Sequence, residues 1–323
     1  MPRVLLTEPI DPAGTALLDG AGLDWAFASA TDEATLAREA ADAEAMIVRV
    51  APVTAAVLSA APNLKIVAKH GVGCDNIDVA HLSARGIPMA ISAGANAQSV
   101  AEHTMALLLA AARRLREQDA AMRAGRFDRR HHLIAADLDG ARALVVGYGR
   151  VGTRVARLLR AFGADVTVAD VLPLEDEARA QGVAFVRDFR EALPQADVVC
   201  LHVPLDETTA NMLDRETFAR FKPGAVFVNC ARGGIMDEAA LEWALEEGPL
   251  AAAGVDVFTV EPTPADHPLF RRDDIVVSPH TGAASRGSVV AMATMAAENV
   301  IAGLRGELRP DRTFNLQALR QPA

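Results

Sequence analysis

Aromatic residues are scarce in this chain. Phe, Trp and Tyr together make 4% of its 323 residues, with a single tyrosine and two tryptophans. The core must therefore come from Ala, Val, Leu and Ile, as in a parallel sheet covered on both faces by helices. Cysteine is nearly absent. Cys74, Cys200 and Cys230 stand far apart with no Cys-x-x-Cys spacing, which points to buried free thiols of a cytosolic protein and not to a disulfide framework. Long apolar runs are missing too. The run from Met105 to Ala112 is far short of the ~20 residues that a bilayer span needs. The opening "MPRVLLTEPIDPAG" ends its short apolar run at once in Glu and Pro, unlike a secretory leader. An excess of positive charge is also lacking. Lys and Arg number 32 against 42 Asp and Glu, for a net charge of −10 and a pI near 5.3. That disfavours nucleic acid and anionic membrane as partners, yet permits a small basic pocket for an acidic ligand. These absences predict a cytoplasmic protein.

What the chain does have is apolar content, at 51%, arranged in short runs that alternate with helical stretches. There is no internal repeat and no low-complexity tract, and the length suggests two domains. "RVLLTE", "AMIVRV", "LKIVAKHG" and "IPMAIS" read as strands of a first α/β unit. "SVAEHTMALLLAAARRLREQDAAMRAG" reads as one long helix, with Ser99 as N-cap, Glu102 completing a capping box and Gly125 as its end. A second series follows, with apolar runs "ALVV", "DVTVA", "VAFV", "DVVCLHV", "AVFVNC", "AAGVDVF" and "DIVVS". A last helix covers about 284–303. This spacing predicts two doubly wound, mostly parallel sheets with right-handed crossovers. The two long helices flanking the second series are candidates for a hinge.

Gly147-Tyr148-Gly149-Arg150-Val151-Gly152 has the spacing GxGxxG. Alone the pattern is weak, but here it follows a strand and opens a helix, and Asp170 ends the next strand about 18 residues further on. Gly147 permits a tight turn, Gly149 lets the backbone approach a pyrophosphate, and Gly152 lets helix and strand pack closely. The helix N-terminus offers free N–H groups to the anion. Asp170 suits an adenosine ribose diol and would repel a 2′-phosphate. Val171 and Leu172 supply no adjacent arginine, so NAD is favoured over NADP.

In an open parallel sheet, ligands bind outside the carboxyl ends of the strands. At those ends stand Asp170, His202 with Pro204, Cys230-Ala231-Arg232, Asp256 and His280. Glu261 follows "VDVFTVEP". Singly, each has an ordinary explanation: Arg232 in a surface ion pair, Glu261 in a solvated turn, His280 ending a strand. Their convergence on one edge of a dinucleotide sheet favours a site.

"ALVVGYGRVG", "LHVPLDETTANML", "KPGAVFVNCARGGIMDEAALEWAL", "AAAGVDVFTVEP" and "SPHTGAAS" together resemble the D-isomer-specific 2-hydroxyacid dehydrogenases, in the flavour of phosphoglycerate dehydrogenase or hydroxypyruvate reductase. "LKIVAKHGVGCDNIDVAHLSARGIPMA" and "GANAQSVAEHTMALLLAAAR" are similar to that family's substrate-domain signatures. The resemblance implies a discontinuous, flavodoxin-like substrate domain, 1–98 plus 284–323, and an inserted Rossmann NAD domain, 99–283. It implies a homodimer and a hinged closure, and a small 2-keto or 2-hydroxy acid as substrate.

By the same resemblance Arg232 binds substrate, Glu261 orients the histidine and His280 is the acid/base. The residue types suit the chemistry. A forked, permanently charged Arg232 can hold a carboxylate and polarise the neighbouring carbonyl, while His280 gives a proton to the oxygen as hydride reaches C2. Gly71-Val72-Gly73 resembles the segment whose N–H groups hold the substrate carboxylate, and Arg49 resembles the phosphoglycerate type. Asn96 and Val100 match positions near the nicotinamide, Asp256 the residue that fixes its carboxamide, and Pro204 and Thr209 contacts of the adenosine and phosphates. The cofactor set is completed by Tyr148, Arg150, Val151, His202, Cys230, Ala231, His280 and Gly282 beside the three loop glycines and Asp170.

Some features depart from the family. His70 replaces a small residue before Gly71. Arg49 and Lys69 form either a basic subsite or a surface ion pair. His131-His132 lack a third metal ligand and read as a polar loop, so no metal is expected. A regulatory C-terminal domain, common in phosphoglycerate dehydrogenases, is not expected. Phosphite dehydrogenase, and an NAD(H)-responsive corepressor-like binding protein, remain as alternatives; formate dehydrogenase is weakened because that branch has Gln where Glu261 stands.

Overall fold

The computed structural model describes residues 3–320. Most of its short apolar runs form strands buried on both faces, with the edge strands Ala184–Val186 and Ile275–Val277 part exposed. The chain divides into two compact units. One takes residues up to Asn96 together with those from Ala284 onward; the other is Ala97–Ala283.

In the first unit β1 (Arg3–Leu6), β2 (Asp24–Phe27), β3 (Ala45–Val48), β4 (Ile66–Lys69) and β5 (Met89–Ile91) make a parallel sheet in the order β2-β1-β3-β4-β5. This is the flavodoxin-like order. Side chains alternate between two cores. Leu5, Met46, Val67 and Met89 lie in one, while Val4, Leu6, Ile47 and Ile66 lie in the other, as a period of two requires. Strand β2 escaped the sequence reading. "DWAF" is an edge strand, half exposed, and carries no apolar run. The helix Arg286–Arg305 begins at the Ser285 cap and ends in a left-handed Gly306. It is long and apolar enough to cross a membrane by length and composition, but it packs on the helix Pro12–Gly20 and on β3, β4 and β5.

In the second unit β6 (Arg142–Val146), β7 (Asp165–Ala169), β8 (Ala184–Val186), β9 (Val198–Leu201), β10 (Ala225–Asn229), β11 (Leu250–Val255) and β12 (Ile275–Val277) are all parallel. Their order is β8-β7-β6-β9-β10-β11-β12, the Rossmann winding with one added strand. The scarce aromatics are concentrated here. Phe218, Phe221 and Phe227 meet with ring centroids 5.4–6.1 Å apart, and each buried ring contributes roughly 1.5–3 kcal/mol.

The long helix is two helices. Ala97–Ala112 stops at a left-handed Arg114 (φ 52°), and Leu115–Arg123 continues to Gly125 (φ +70°). Ser99 is not an N-cap. It lies inside the first turn, and its hydroxyl donates to the Gly282 carbonyl at 2.7 Å. The tertiary bond takes the side chain that a capping box would have used.

Candidate active site

The glycine loop leaves β6 and enters the helix Gly152–Ala161. Gly147 and Gly152 answer different steric demands. Gly147 has φ +94°, and a Cβ there would lie 2.5 Å from the His202 carbonyl oxygen. A Cβ on Gly152 would lie 1.9 Å from the Gly147 oxygen. Gly149 faces open space. The helix has no side-chain cap at Val151; the Thr153 and Arg154 N–H groups bond the Gly149 and Val151 carbonyls, and the Gly152 N–H with the positive end of the helix is what faces an outside anion. Asp170 is oriented by the loop itself. Its carboxylate accepts from the Tyr148 amide at 2.8 Å and the Leu172 amide at 2.9 Å. Space over Gly149, the positive end of the helix and an oriented carboxylate at the next strand end fit a dinucleotide.

The other predicted cofactor residues fall at the same carboxyl edge of this sheet. His202 follows β9. Its Nε2 is shut from solvent and has no partner, although the residue keeps some exposed surface, and burial lowers its pKa to about 3. Pro204 is exposed, and its carbonyl accepts the Thr209 hydroxyl at 2.7 Å. Tyr148 is buried, its hydroxyl without a partner. Arg150 is exposed and Val151 half-buried. Cys230 and Ala231 are buried after β10. Burial pushes the Cys230 thiol up to about 12 and raises Cys200 as well, so neither is a nucleophile.

Glu261 and His280 are bonded to each other, and the charge of Arg232 acts on Glu261. The fully buried Asn229 shapes the turn before Arg232: its amide oxygen accepts from the Ala231 N–H and its NH2 donates to the Arg232 carbonyl, both at 2.9 Å. A Cβ on Gly233 would lie 2.0 Å from the Phe258 carbonyl carbon, so that turn lies against the chain leading to Glu261. Glu261 accepts from the Phe258 amide at 3.0 Å and meets His280 Nδ1 at 2.7 Å. Burial acts to raise its carboxyl. The hydrogen bonds from His280 and Phe258, with the charges of His280 and Arg232, outweigh this and hold it below the ordinary carboxylate range. Glu238 steadies the same segment by accepting from the Thr259 amide and pairing with His267 Nε2 at 3.0 Å.

His280 stands in the left-handed region, with φ 52°, a conformation uncommon outside glycine and seen at functional sites. Asp256 holds it there. The Asp256 carbonyl accepts the His280 N–H at 2.7 Å, and its carboxylate accepts the Thr281 and Gly282 N–H groups, both at 2.8 Å. The carboxylate also takes the Ser278 hydroxyl at 2.6 Å and lies 3.2 Å from His103 Nε2. Ser278 uses its one hydrogen on Asp256, so at 2.8 Å it accepts from His103 Nε2, which must carry a proton. A Cβ on Gly282 would lie 3.0 Å from Asp256 and 3.7 Å from Val100, so glycine is what fits there.

Asn229, His103 and Ser278 were missed in the sequence. Ser278 stands beside Pro279 and His280 in "SPH", and His103 falls in "SVAEHT", but neither spacing carries a chemical signature.

Arg49, Val72, Gly73 and Asn96 belong to the first unit. Arg49 follows β3, and its guanidinium donates to the Pro9 carbonyl at 3.2 Å. The Glu8 carboxylate accepts the N–H groups of Val50 (2.8 Å) and Ala51 (2.9 Å) in that loop. Lys69 is buried, and its ammonium donates to the Arg49 carbonyl and to Asn76. His70 is buried with Nε2 unpaired; burial and then the charge of Arg49 lower its pKa. Gly71 has φ +140°, a glycine conformation, and leads into the half-buried Val72 and Gly73. Asn96 is half-buried, next to the start of the helix Ala97–Ala112. His131 and His132 are exposed.

A Rossmann sheet with a glycine loop at a helix start, and a His–Glu pair on the same edge, defines a dinucleotide-binding class of protein. The chain belongs to the D-isomer specific 2-hydroxyacid dehydrogenases, whose NAD-binding domain matches residues 105–282. It is 39% identical over 312 residues to the D-3-phosphoglycerate dehydrogenase of Mycobacterium leprae, covering 96% of this chain and 58% of that protein. It is 38% identical over 316 residues to the glyoxylate reductase of Korarchaeum cryptofilum, covering 96% and 95%. The chain thus spans little more than half of the Mycobacterium leprae protein and nearly all of the glyoxylate reductase. Among solved structures, the NADPH-dependent glyoxylate/hydroxypyruvate reductase of Sinorhizobium meliloti, in complex with NADP and malonate, superposes with a TM-score of 0.87 at 27% identity, covering 100% of this chain and 99% of that one.

Proposed function

We propose that this chain is an NAD-dependent D-2-hydroxyacid dehydrogenase working as a 2-keto acid reductase, with His280 as acid/base. The observation that carries the reading is the bond between His280 Nδ1 and Glu261 Oε2 at 2.7 Å. It leaves Nε2 as the ring nitrogen that gives or takes the substrate proton. The bound cofactor supplies or accepts the hydride. Arg232 binds the substrate carboxylate and polarises its carbonyl, and Glu261 keeps the ring oriented. Asp256 holds the backbone of His280, Thr281 and Gly282 in place. Asp170 accepts the ribose hydroxyls, which selects NAD over NADP. Arg49, Val72, Gly73 and Asn96 belong to the same proposal as substrate contacts.

The substrate class is glyoxylate, hydroxypyruvate or phosphohydroxypyruvate. A homodimer is part of the proposal, supported by exposed Leu115, Met122, Phe127 and Ile134 on one stretch of the second unit. The test is NADH oxidation with a panel of glyoxylate, hydroxypyruvate, pyruvate, longer 2-keto acids and phosphohydroxypyruvate, repeated with His280→Ala. Turnover with at least one acid, lost in His280→Ala while NADH still binds, is expected. Tight NADH binding without turnover of any keto acid would instead favour a binding protein.

A further inference from the structure

The two residues after Asp170 are Val171 and Leu172, so no arginine adjoins the ribose-reading carboxylate along the chain. Across the sheet one does. Strands β7 and β8 are parallel and in register, with Ala169 opposite Val186. The next residues are Asp170 and Arg187, side by side at the carboxyl edge of strands about 4.8 Å apart. The Arg187 guanidinium confirms the closeness. Its Nη1 donates to the Val171 carbonyl at 2.9 Å, and its Nε pairs with Glu175 at 3.0 Å. Arg187 and Glu175 keep 54% and 43% of their side-chain surface exposed. The pair is therefore a weak, exchangeable one.

We propose that Arg187 is a specificity-determining residue of the ribose pocket: an anchor for a 2′-phosphate, kept out of use by the Asp170 carboxylate and by its pairing with Glu175. The inference rests on the reading of Asp170 as the ribose-diol acceptor. A 2′-phosphate placed beside Asp170 would meet like charge and would not be bound. With Asp170 neutral, the guanidinium already at the pocket's edge can exchange Glu175 for the phosphate, through bonds that its planar fork makes well.

The test is calorimetric binding of NAD+ and NADP+, and of adenosine 2′,5′-bisphosphate against 5′-AMP, which removes the nicotinamide from the comparison. The proteins are the wild type, Arg187→Ala, Asp170→Ser and the double variant, with circular dichroism to establish folding. Asp170→Ser is expected to gain NADP+ affinity about tenfold or more, and the double variant to lose most of that gain. The gain should weaken steeply with salt only where Arg187 is present. Arg187→Ala alone should change NAD+ binding by less than about twofold. Equal gains in the single and double Asp170 variants would overturn the proposal. A wild type that binds NADP+ as tightly as NAD+ would sink the NAD reading instead. In that event Arg187→Ala must still weaken NADP+ selectively, and no loss there would refute Arg187's role.

Discussion

Replacing Glu261 by Gln isolates what the carboxylate does for His280. Glu261 uses Oε1 for the Phe258 amide at 3.0 Å and Oε2 for His280 Nδ1 at 2.7 Å. A glutamine has one acceptor oxygen and one donor nitrogen. The Phe258 N–H needs the oxygen, so the amide nitrogen is left facing Nδ1. Nδ1 must then accept, and the ring proton sits on Nε2. A doubly protonated ring would set one donor against another, so the form that best protonates the substrate oxygen is disfavoured. The variant keeps its shape and loses a charge-assisted hydrogen bond, about 1.5–3 kcal/mol. That corresponds to roughly 10- to 150-fold in kcat for reduction. The Glu261 side chain is 37% exposed, and screening places the expected loss near the lower end, about tenfold. The assay is keto acid reduction under saturating NADH across pH, with NADH binding followed by nicotinamide fluorescence. Glu261→Gln should lower kcat, narrow the active pH range on its alkaline side and leave NADH affinity within about twofold. An unchanged kcat with an unchanged pH profile would refute the pairing as a working element.

Arg232→Lys keeps the charge but loses the fork, so KM for the keto acid should rise about tenfold or more while the fold persists; an unchanged KM and kcat would remove Arg232 from substrate binding. Gly233→Ala must push a Cβ into the Phe258 carbonyl carbon 2.0 Å away. It should cost at least about 2 kcal/mol of stability, read as a lower denaturant midpoint. His202 gives a pH dependence whose sign is set by its burial. Its folded pKa of about 3 lies below the ordinary ~6.5, so the unfolded chain binds more protons between those values. Its contribution to stability is fully present above ~6.5 and declines by up to about 1.4 kcal/mol per pH unit as pH falls toward 3. His202→Gln should flatten that part of the stability curve, and an equal slope in both proteins would count against a buried neutral ring.

Much of the architecture could be read from the chain because parallel strands buried on both faces leave continuous apolar runs, and the winding rules order them. "ALVV" and "DVTVA" became β6 and β7, while "DWAF", an edge strand with an exposed face, left no such run. Ser99 shows the limit of local patterns. Its capping box is complete in sequence, but the Gly282 carbonyl, distant in the chain, takes its hydroxyl. The glycine loop was legible because Gly147 and Gly152 reflect local collisions and Gly149 opens space above the loop. Asn229, His103 and Ser278 were not, because their meaning lies in which carboxylate or carbonyl the fold brings to them. Arg187 makes the same point: no arginine adjoins Asp170 along the chain, and strand register supplies one across the sheet.

For a protein of net charge −10, the proposed binding of an anionic cofactor and an acidic substrate poses a problem of like charge. The fold handles it by giving each acidic group near the site a backbone donor. Asp170 takes the Tyr148 and Leu172 amides, Asp256 the Thr281 and Gly282 amides, and Glu261 the Phe258 amide. Glu8 does the same with Val50 and Ala51 in the first unit. Each carboxylate is thereby pinned in one orientation and partly neutralised by N–H dipoles. What remains of its capacity points to a specific partner: Glu261 to an imidazole, Asp170 to the space over the glycine loop. On the proposed reading the helix start at Gly152 meets the phosphates and the Arg232 guanidinium meets the substrate carboxylate. On this account the negative charge of the chain opposes ligand binding least where the site is built. On the proposed reading, neutralising Asp170 changes which cofactor is admitted, whereas neutralising Asp256 weakens its bonds to the Thr281 and Gly282 amides and leaves the His280 N–H on the Asp256 main-chain carbonyl.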